Sequence, residues 1–207
     1  MGRKHVTYKL IEYSPDLDLS DFYAEADRRG FENNNSQKTM FDCFRNEREW
    51  AGWMLEYNGK FIGGVCVHSF DDVMGPNSYR VLARTCTFTS ETHKPWPHTK
   101  QTIIVEQQCC ATQFFIPISI QWAGEGKRFF ATSNANPMGS QQRVNNLWFP
   151  MQAELGRFSW VKETHYRGCN QNVWELNVDE WKKSLAMYEM WPVSYTHLRA
   201  HETPEHL

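Results

Sequence analysis

The sequence lacks the patterns of a zinc site and of a membrane span. Its six cysteines include no Cys-x-x-Cys pair and have no histidine at ligand spacing, so we expect no bound metal. No apolar stretch approaches bilayer length, and the polar start at residues 1–4 has no apolar signal region. Cys66 and Cys86 lie in apolar, strand-like runs, which is typical of buried free thiols in a reducing compartment. We therefore expect a cytoplasmic protein that makes no membrane contact.

Clustered positive charge is also missing. The formal net charge is −2 and the 22 lysines and arginines are scattered, which argues against a nucleic-acid-binding face. Aromatic residues, by contrast, are abundant, with 13 Phe, 9 Trp and 8 Tyr. They either fill the core and the base of a cleft or form a dedicated stacking platform. With 207 residues, 41% of them hydrophobic, the chain is long enough to bury the core of one globular domain.

The end of the chain differs from the rest. From Val193 it reads Val-Ser-Tyr-Thr-His-Leu-Arg-Ala-His-Glu-Thr, which resembles a translated sequencing adapter. We expect residues 193–207 to be a non-native tail. Its histidines are then not candidate metal ligands: His197, His201 and His206. The expected organisation is a single domain over residues 1–181, followed by a C-terminal extension over 182–192.

The first half of the chain alternates between strand and helix patterns. Residues 6–13 predict a strand, residues 19–26 a helix that Asp18 or Ser20 caps and Gly30 ends, and residues 36–47 a second short helix. Asn58-Gly59 separates two β-rich runs and predicts a hairpin of strands over 50–57 and 60–70. A loop is expected at 71–78. A strand over 79–90 follows it.

The second half predicts a buried helix over 102–123, which Pro117 kinks or ends and which Gly124 and Gly126 close. A strand is expected over 128–134. The apolar stripe of the next helix, 138–155, consists of residues at helical spacing: Val144, Leu147, Trp148, Met151 and Leu155. Gly156 ends that helix. Strands over 158–166 and 172–178 form a closing hairpin, joined by residues 167–171.

This order of elements is similar to that of the GNAT acyltransferases and covers about 175 residues. The resemblance implies an α/β (α+β) fold, with a central mixed, mostly antiparallel sheet of about seven strands flanked by about four helices. The fourth strand, the long helix and the fifth strand form a parallel crossover. Ligands gather beyond the carboxyl ends of such strands, so we expect the cleft around residues 88–92 and 133–136.

In GNAT enzymes the fourth and fifth strands splay apart, and the acyl-pantetheine arm of CoA enters the gap. A Gly-rich turn at the next helix N-terminus holds the pyrophosphate, because unpaired N–H groups and the helix dipole favour an anion. The corresponding segment here, residues 89–101, contains no glycine. Lys94 and Lys100, with a helix N-terminus at residues 98–102, would form a nonstandard CoA site. The alternative is a plain surface loop with two solvated lysines.

Two further family markers concern single residues. Asn134 matches the asparagine that ends strand five and would bind the pantetheine arm, although asparagine is also a common turn residue. The Tyr-x-x-Leu-Gly pattern, whose tyrosine protonates the leaving thiolate, appears as Gln152-Ala-Glu-Leu-Gly156. An amide cannot supply that proton. With both motifs altered, a binding protein without catalysis becomes an alternative.

Ionisable residues near the expected cleft are candidates for chemistry. Glu91 or His93 would act as the base that deprotonates the amine; the alternative is that each is an exposed loop residue. Arg80 and Arg84 lie two alternations apart on a strand expected to be central, and a buried guanidinium needs a partner. They either pair with Asp71, Asp72 or Glu106, or bind an acidic group in the cleft.

The first functional hypothesis is transfer of an acyl group, acetyl in the simplest case, from acetyl-CoA to a small-molecule or peptide amine. On this hypothesis Glu91 and His93 are assigned to catalysis, and Arg84 and Glu106 to substrate binding, from their chemistry and their expected place near the cleft. The residues assigned to CoA binding are Phe88, Thr89, Ser90, Lys100, Thr102 and Asn134, with the amides near Phe88 and Thr89 polarising the thioester carbonyl. The alternative is a noncatalytic GNAT-like binding protein encoded by a phage, since residues 113–124 resemble uncharacterised phage proteins. A third possibility is an assembly protein with an edge-strand interface.

Overall fold

The computed structural model describes residues 8–28, 48–57, 59–87, 114–137 and 140–186. Seven strands form one sheet: β1 (Tyr8–Glu12), β2 (Trp50–Tyr57), β3 (Lys60–Ser69), β4 (Ser78–Thr87), β5 (Arg128–Asn134), β6 (Phe158–Tyr166) and β7 (Cys169–Leu176). The described helices are α1 (Ser20–Arg28), α2 (Asp71–Met74), α3 (Ile116–Ala123), α4 (Ser140–Glu154) and α5 (Val178–Ala186). The predicted α/β class with a seven-stranded mixed sheet is confirmed.

The strands lie in the order β1-β2-β3-β4-β5-β7-β6. β4 and β5 are parallel, and the other neighbouring pairs are antiparallel. The predicted β2–β3 hairpin is confirmed, with Gly59 at φ +79° in the turn. A left-handed turn conformation of this kind carries no Cβ penalty in glycine, which is why Asn-Gly is a reliable hairpin signal.

The sheet has two differently covered faces. The first face carries Val65, Val67, Val81 and Phe129 and packs against α3, α4 and α5 in the main core cluster, which also buries Trp181. The second face is covered in two places. Phe22 and Ala26 of α1, with Leu19 directly before the helix, pack against Met54, Cys66 and Ala83. Farther along the sheet, a smaller cluster consists of Phe70, Phe130 and Val173, with Tyr166 beside it.

Pro117 lies in the first turn of α3, and residues 102–113 of the predicted helix lie outside the described residues, so its effect on that helix stays a prediction. Two other local predictions need correction. The expected loop after β3 contains the four-residue helix α2, which is too short to show helical periodicity in the sequence. The β6–β7 turn is shorter than expected, since Arg167 and Gly168 alone form it, at φ +52° and +80°. β7 therefore begins at Cys169.

The end of the described chain contains a helix that was not predicted. Residues 178–186 form α5, and the division of the chain at residue 181 stays a prediction. Trp181 of this helix is fully buried against Trp148 and Phe158. Among the described helices, none is long and apolar enough to cross a membrane. The second predicted helix, at 36–47, lies outside the described residues, and so does Gly30, the predicted end of the first helix.

Candidate functional site

The sheet opens between β4 and β5. Within the described strands these two pair at only three positions, Ser78 with Arg128, Tyr79 with Phe129, and Arg80 with Phe130. β4 nevertheless runs on to Thr87 beside β3, and β5 runs on to Asn134 beside β7. β4 therefore stays paired with β3, and β5 with β7, after the pairing between β4 and β5 has ended. The result is a gap between the two strands that begins just after Arg80.

Two β-bulges in β4 accompany this opening. His68 of β3 pairs with Arg80 of β4, and Cys66 pairs with Ala83. The two pairs are two residues apart on β3 but three residues apart on β4. The same mismatch recurs between Cys66 and Gly64. The first bulge contains Leu82, which has φ +55° although it is not glycine. Bulges bend a strand and increase its twist, so we attribute the divergence of β4 from β5 to these two insertions.

The first bulge also changes which residues share a face. Val81 lies in the main core cluster and Leu82 packs against the same cluster, whereas Ala83 belongs to the cluster under α1. Regular alternation would have placed Val81 and Ala83 together. Arg80 and Arg84 are therefore not two regular alternations apart on this strand. Arg84 lies within the second bulge, between Ala83 and Cys86.

Arg80 lies at the closed end of the gap, on the second face. It is 9% exposed, and its Nη2 donates a hydrogen bond of 2.7 Å to Oγ1 of Thr132, two residues beyond its pairing partner on β5. Its Cζ lies 5.3 Å from the ring centroid of Tyr166, within cation–π range. The guanidinium is thus held by a hydroxyl from β5 and by a ring from the end of β6. We call Arg80, His68, Thr132 and Tyr166 the Arg80 cluster.

His68 pairs with Arg80 across β3 and β4 and is completely buried. Its Nδ1 lies 2.7 Å from the carbonyl oxygen of Ser69, which fits a tautomer in which Nδ1–H donates to that oxygen. Burial, together with the positive charges of Arg80 and Arg167, lowers the pKa of His68 to about 3, against a smaller opposing effect of the Ser69 contact. At neutral pH His68 is therefore an uncharged imidazole beside a charged guanidinium.

A second arginine, Arg167, contacts Tyr166 at the turn of the β6–β7 hairpin. Cζ of Arg167 lies 5.5 Å from the Tyr166 ring centroid, and its Nε donates a 2.9 Å hydrogen bond to the Tyr166 hydroxyl. Phe70 meets the same ring edge-on, with centroids 5.2 Å apart. Two guanidinium groups thus approach one aromatic ring that is fixed by the small apolar cluster of the second face.

Asn134 ends β5 at the mouth of the gap, as predicted. Its Oδ1 accepts a 2.8 Å hydrogen bond from the backbone N–H of Asn136, which forms an Asx turn. Its backbone carbonyl accepts a 2.9 Å hydrogen bond from Nδ2 of Asn146, which ties the end of β5 to α4. These contacts agree with the turn role considered from the sequence. Its role toward the pantetheine arm stays a prediction.

Gln152, which occupies the tyrosine position of the family pattern, is fully buried in α4. Its Oε1 accepts a 3.2 Å hydrogen bond from Nη1 of Arg157, itself buried beneath the ring of Trp181 at 6.0 Å. The carboxamide thus serves the packing between α4 and α5.

Most of the predicted site residues lie outside the described residues, so their assignments stay predictions: Phe88, Thr89, Ser90, Glu91, His93, Lys100, Thr102 and Glu106. The sequence argument named Arg80 but did not associate His68, Thr132 and Tyr166 with it. His68 carried a signal that could have been used, since it is an ionisable residue in an otherwise apolar, central strand. Among the described residues, no group of three or more His, Cys, Asp or Glu side chains could hold a metal ion.

No protein-family model matches the sequence, and no curated protein matches it significantly. Solved structures are similar in fold. An uncharacterised protein from Bacillus halodurans has a TM-score of 0.51 at 8% identity, over 88% of this chain and 90% of that one. FeeM, an N-acyl amino acid synthase from uncultured soil microbes, has a TM-score of 0.46 at 11% identity, over 90% of this chain and 100% of that one.

An acyl-CoA N-acyltransferase from Pseudomonas aeruginosa has a TM-score of 0.40 at 14% identity, over 82% of this chain and 99% of that one. Such identities concern the fold alone. The element order and the β4–β5 pair, the one parallel pair among the described strands, are those that the GNAT resemblance predicted, and the α/β class with a mixed seven-stranded sheet is as expected.

Proposed function

We propose that the protein is a GNAT-like N-acyltransferase that moves an acyl group, acetyl in the simplest case, from acyl-CoA to an amine. The observation that carries this proposal is the gap between β4 and β5. The pantetheine arm of CoA is extended and contains amides, so it can pair with strand edges that no longer pair with each other.

The residues present fit an acyl-CoA molecule at the gap. Beyond Arg80, β4 presents backbone N–H and C=O groups toward the gap rather than to β5. An edge of this kind is a template for a further extended chain, and the pantetheine arm has two amide groups that can use it. Asn134 stands at the mouth of the gap on the opposite strand. When bound, acyl-CoA supplies an activated thioester carbonyl.

The proposed reaction joins the amine nitrogen to the acyl carbon and breaks the carbon–sulfur bond. The proton lost by the amine and the proton gained by the thiolate balance, so the products are an amide and free CoA. We assign proton removal to Glu91 or His93 and carbonyl polarisation to the amides near Phe88 and Thr89. Lys100 and Thr102 are assigned to the phosphate end, and Ser90 to CoA binding beside Phe88 and Thr89. Proximity and oxyanion stabilisation then supply most of the acceleration.

A second candidate, a GNAT-like binding protein without catalysis, is favoured by the packing of Gln152. Its carboxamide is engaged with buried Arg157, and it has no proton to give to a thiolate. The segment 89–101 also lacks the family's glycines. Both candidates require a ligand in the gap, but they differ in turnover.

The deciding experiment is calorimetric titration of acetyl-CoA into the full chain, followed by a thiol-release assay with a panel of amines. We expect micromolar binding that Asn134→Asp weakens by about tenfold, since a negative charge repels the anionic ligand at the mouth of the gap. Asn177→Asp is the matched control. Asn177 caps α5 by accepting the N–H of Glu180 at 3.2 Å, and aspartate serves equally well there.

Binding without turnover for any amine favours the second candidate. Absence of binding at millimolar acetyl-CoA, by protein shown to be folded, would sink the acyltransferase and leave a binding protein whose ligand is not CoA. The proposal includes a reducing, cytoplasmic site of action, which the free thiols of Cys66 and Cys169 support.

A further inference from the structure

One edge of the sheet is long enough to take a further strand. β6 lies at the end of the strand order, so among the described strands it pairs on one side only, with β7. It is 9 residues long, whereas β1 at the other edge has 5. Backbone N–H and C=O groups on the outer side of such a strand are a template for pairing with another chain. The edge-strand interface considered from the sequence is therefore best located on β6.

Most of β6 lacks the features that usually prevent edge pairing, which are proline, bulges and outward-pointing lysines. The one register shift of this strand lies between Trp160 and Lys162, and residues 162–166 contain no proline. The ammonium of Lys162 donates a 3.0 Å hydrogen bond to the carbonyl oxygen of Val73, which packs on the second face. Lys162 is thus held against its own subunit, and residues 162–166 form a regular template.

An exposed aromatic side chain lies on the same strand. Trp160 is 56% exposed, the highest value among the large hydrophobic residues described as exposed. Its Nε1 donates a 3.2 Å hydrogen bond to Oδ1 of Asn172 on β7, which fixes the orientation of the indole beside the edge. Tryptophan is enriched at protein interfaces, where it loses little conformational entropy on burial. A fixed, exposed indole on an edge strand indicates a surface for a protein partner.

Alternation along β6 places two ionisable side chains on one face of the sheet. Lys162 pairs with Val173, which belongs to the small cluster of the second face, so Glu163 and His165 lie on the first face. Nδ2 of Asn170 donates a 2.8 Å hydrogen bond to Oε1 of Glu163, and Oδ1 of Asn170 lies 3.1 Å from Nδ1 of His165. These contacts use one oxygen of Glu163 and one nitrogen of His165, and both side chains are exposed.

We infer that β6 pairs with β6 of a second copy of this chain, in an antiparallel register centred on Thr164. Two identical edges that join in this way have their two-fold axis perpendicular to the sheet, so opposite residues lie on the same face. Centring on Lys162, Glu163 or His165 would oppose two identical ionisable groups, which is unfavourable when both are charged. Centring on Thr164 uses all of 162–166 and places Glu163 opposite His165 of the second copy, twice in each dimer.

The same register covers the exposed indole. Trp160 extends past the paired residues and lies beside the β6–β7 turn of the second copy. The interface is nevertheless small, because a stable dimer buries about 800 Å² on each subunit. We therefore expect reversible dimerisation with a micromolar dissociation constant, which the low net charge of −2 hardly opposes. This inference does not rest on the proposed acyltransferase function.

Two measurements on the unaltered full chain test it. Sedimentation velocity from submicromolar to submillimolar concentration should show a monomer that converts to a dimer. Hydrogen exchange followed by mass spectrometry should show slower exchange in peptides of β6 at high concentration than at low concentration. Peptides of β1, at the opposite edge, should exchange equally at both concentrations.

Charge reversal tests the register. Glu163→Lys brings a positive charge opposite His165, and His165→Glu opposes two carboxylates, so each variant should weaken dimerisation about tenfold. The double variant with both changes restores opposite charges and should recover most of the affinity. Glu125→Lys is the matched control, since it makes the first charge change at an exposed residue in the turn before β5. It should leave dimerisation unchanged, and thermal unfolding verifies that each variant is folded.

The outcomes decide the inference without any CoA ligand. Recovery in the double variant, with concentration-dependent protection of β6, supports it. A monomer at every concentration overturns it. A dimer that protects other peptides, or that both single variants leave intact, overturns it as well, since the copies then associate through another surface. Weakening in both single variants without recovery in the double variant contradicts the register and has the same consequence.

Discussion

Arg80 and Thr132 join β4 to β5 at the point where the two strands stop pairing, through a 2.7 Å hydrogen bond between Nη2 and Oγ1. Thr132→Val removes the acceptor without changing the side-chain volume much and leaves a buried donor of a charged group unsatisfied. We expect the free energy of unfolding to fall by about 1–3 kcal/mol, measured by urea denaturation. Thr132→Ser retains the hydroxyl and should lose much less. Equal losses in the two variants would mean that the hydroxyl contributes little.

Burial of His68 should make the stability depend on pH. Its folded pKa of about 3 lies below the ordinary value of 6.5, so the unfolded chain binds the extra proton more readily between these values. The contribution of neutral His68 to the free energy of unfolding is therefore fully present above pH 6.5 and is lost as the pH falls toward 3. The slope approaches about 1.4 kcal/mol per pH unit.

The window from pH 5 to pH 6.5 isolates this effect from the carboxylates. His68→Asn removes the titration while retaining a side-chain donor near Ser69, and we expect a flatter dependence of the free energy of unfolding on pH in that window. The His68 ring resonances of the native protein should not shift over the same range. A midpoint near 6.5 in the nuclear magnetic resonance titration would contradict the buried, neutral state.

Tyr79 donates a 2.5 Å hydrogen bond to Oε2 of Glu49, which, with burial, raises its pKa to about 12. The contribution of the neutral Tyr79 phenol to the free energy of unfolding is fully present below pH 10 and is lost as the pH rises toward 12. Tyr79→Phe should lower the free energy of unfolding by about 1 kcal/mol at neutral pH. A double-mutant cycle with Glu49→Gln measures the coupling, and additive losses would show that the two side chains act independently.

The left-handed backbone at Leu82 predicts an unusual response to β-branching. Leu82→Ile conserves volume, but a β-branched side chain is strongly disfavoured at φ +55°. We expect a loss of about 1–2 kcal/mol in urea denaturation. Leu10→Ile is the control, since Leu10 is also partly buried and lies in β1 at an ordinary strand conformation. Equal effects in the two variants would argue against the bulge.

The buried side of α4 can be tested against the side that the sequence pattern predicted. Leu147 and Met151 are 45% and 41% exposed, whereas Trp148 and Phe149 are 3% and 4% exposed. Leu147→Gln and Met151→Gln should each change the free energy of unfolding by less than about 0.5 kcal/mol. Phe149→Ala should lower the free energy of unfolding by about 3–5 kcal/mol, because it removes a buried ring that is stacked on Trp174 and leaves a cavity. The reverse ranking would restore the predicted stripe.

The predicted stripe on α4 failed for an identifiable reason. Apolar residues occupy two sides of this helix, so periodicity alone supports more than one buried face. Trp148 fits both patterns, but Phe149 and Gln152 join it in the core, while Leu147, Met151 and Leu155 are exposed. Packing against β6 and β7 decides between the sides, and that information is spread over residues 158–176.

The site was predictable only in part for a similar reason. Local patterns predicted where β4 and β5 begin and that they run parallel. Arg80 was recognisable as an arginine in a central strand. Its association with His68, Thr132 and Tyr166 could not be predicted, because these residues come from three other strands and meet only through the sheet order.

The sequence by itself determined the types and order of most elements, because turns such as Asn58-Gly59 and stops such as Gly124 and Gly156 act over a few residues. The tertiary structure decided where β4 leaves β5. The bulge at Leu82 lies where β3 pairs with β4, and a left-handed backbone of this kind persists only where surrounding contacts maintain it. The gap, and the guanidinium at its closed end, are therefore properties of the assembled sheet.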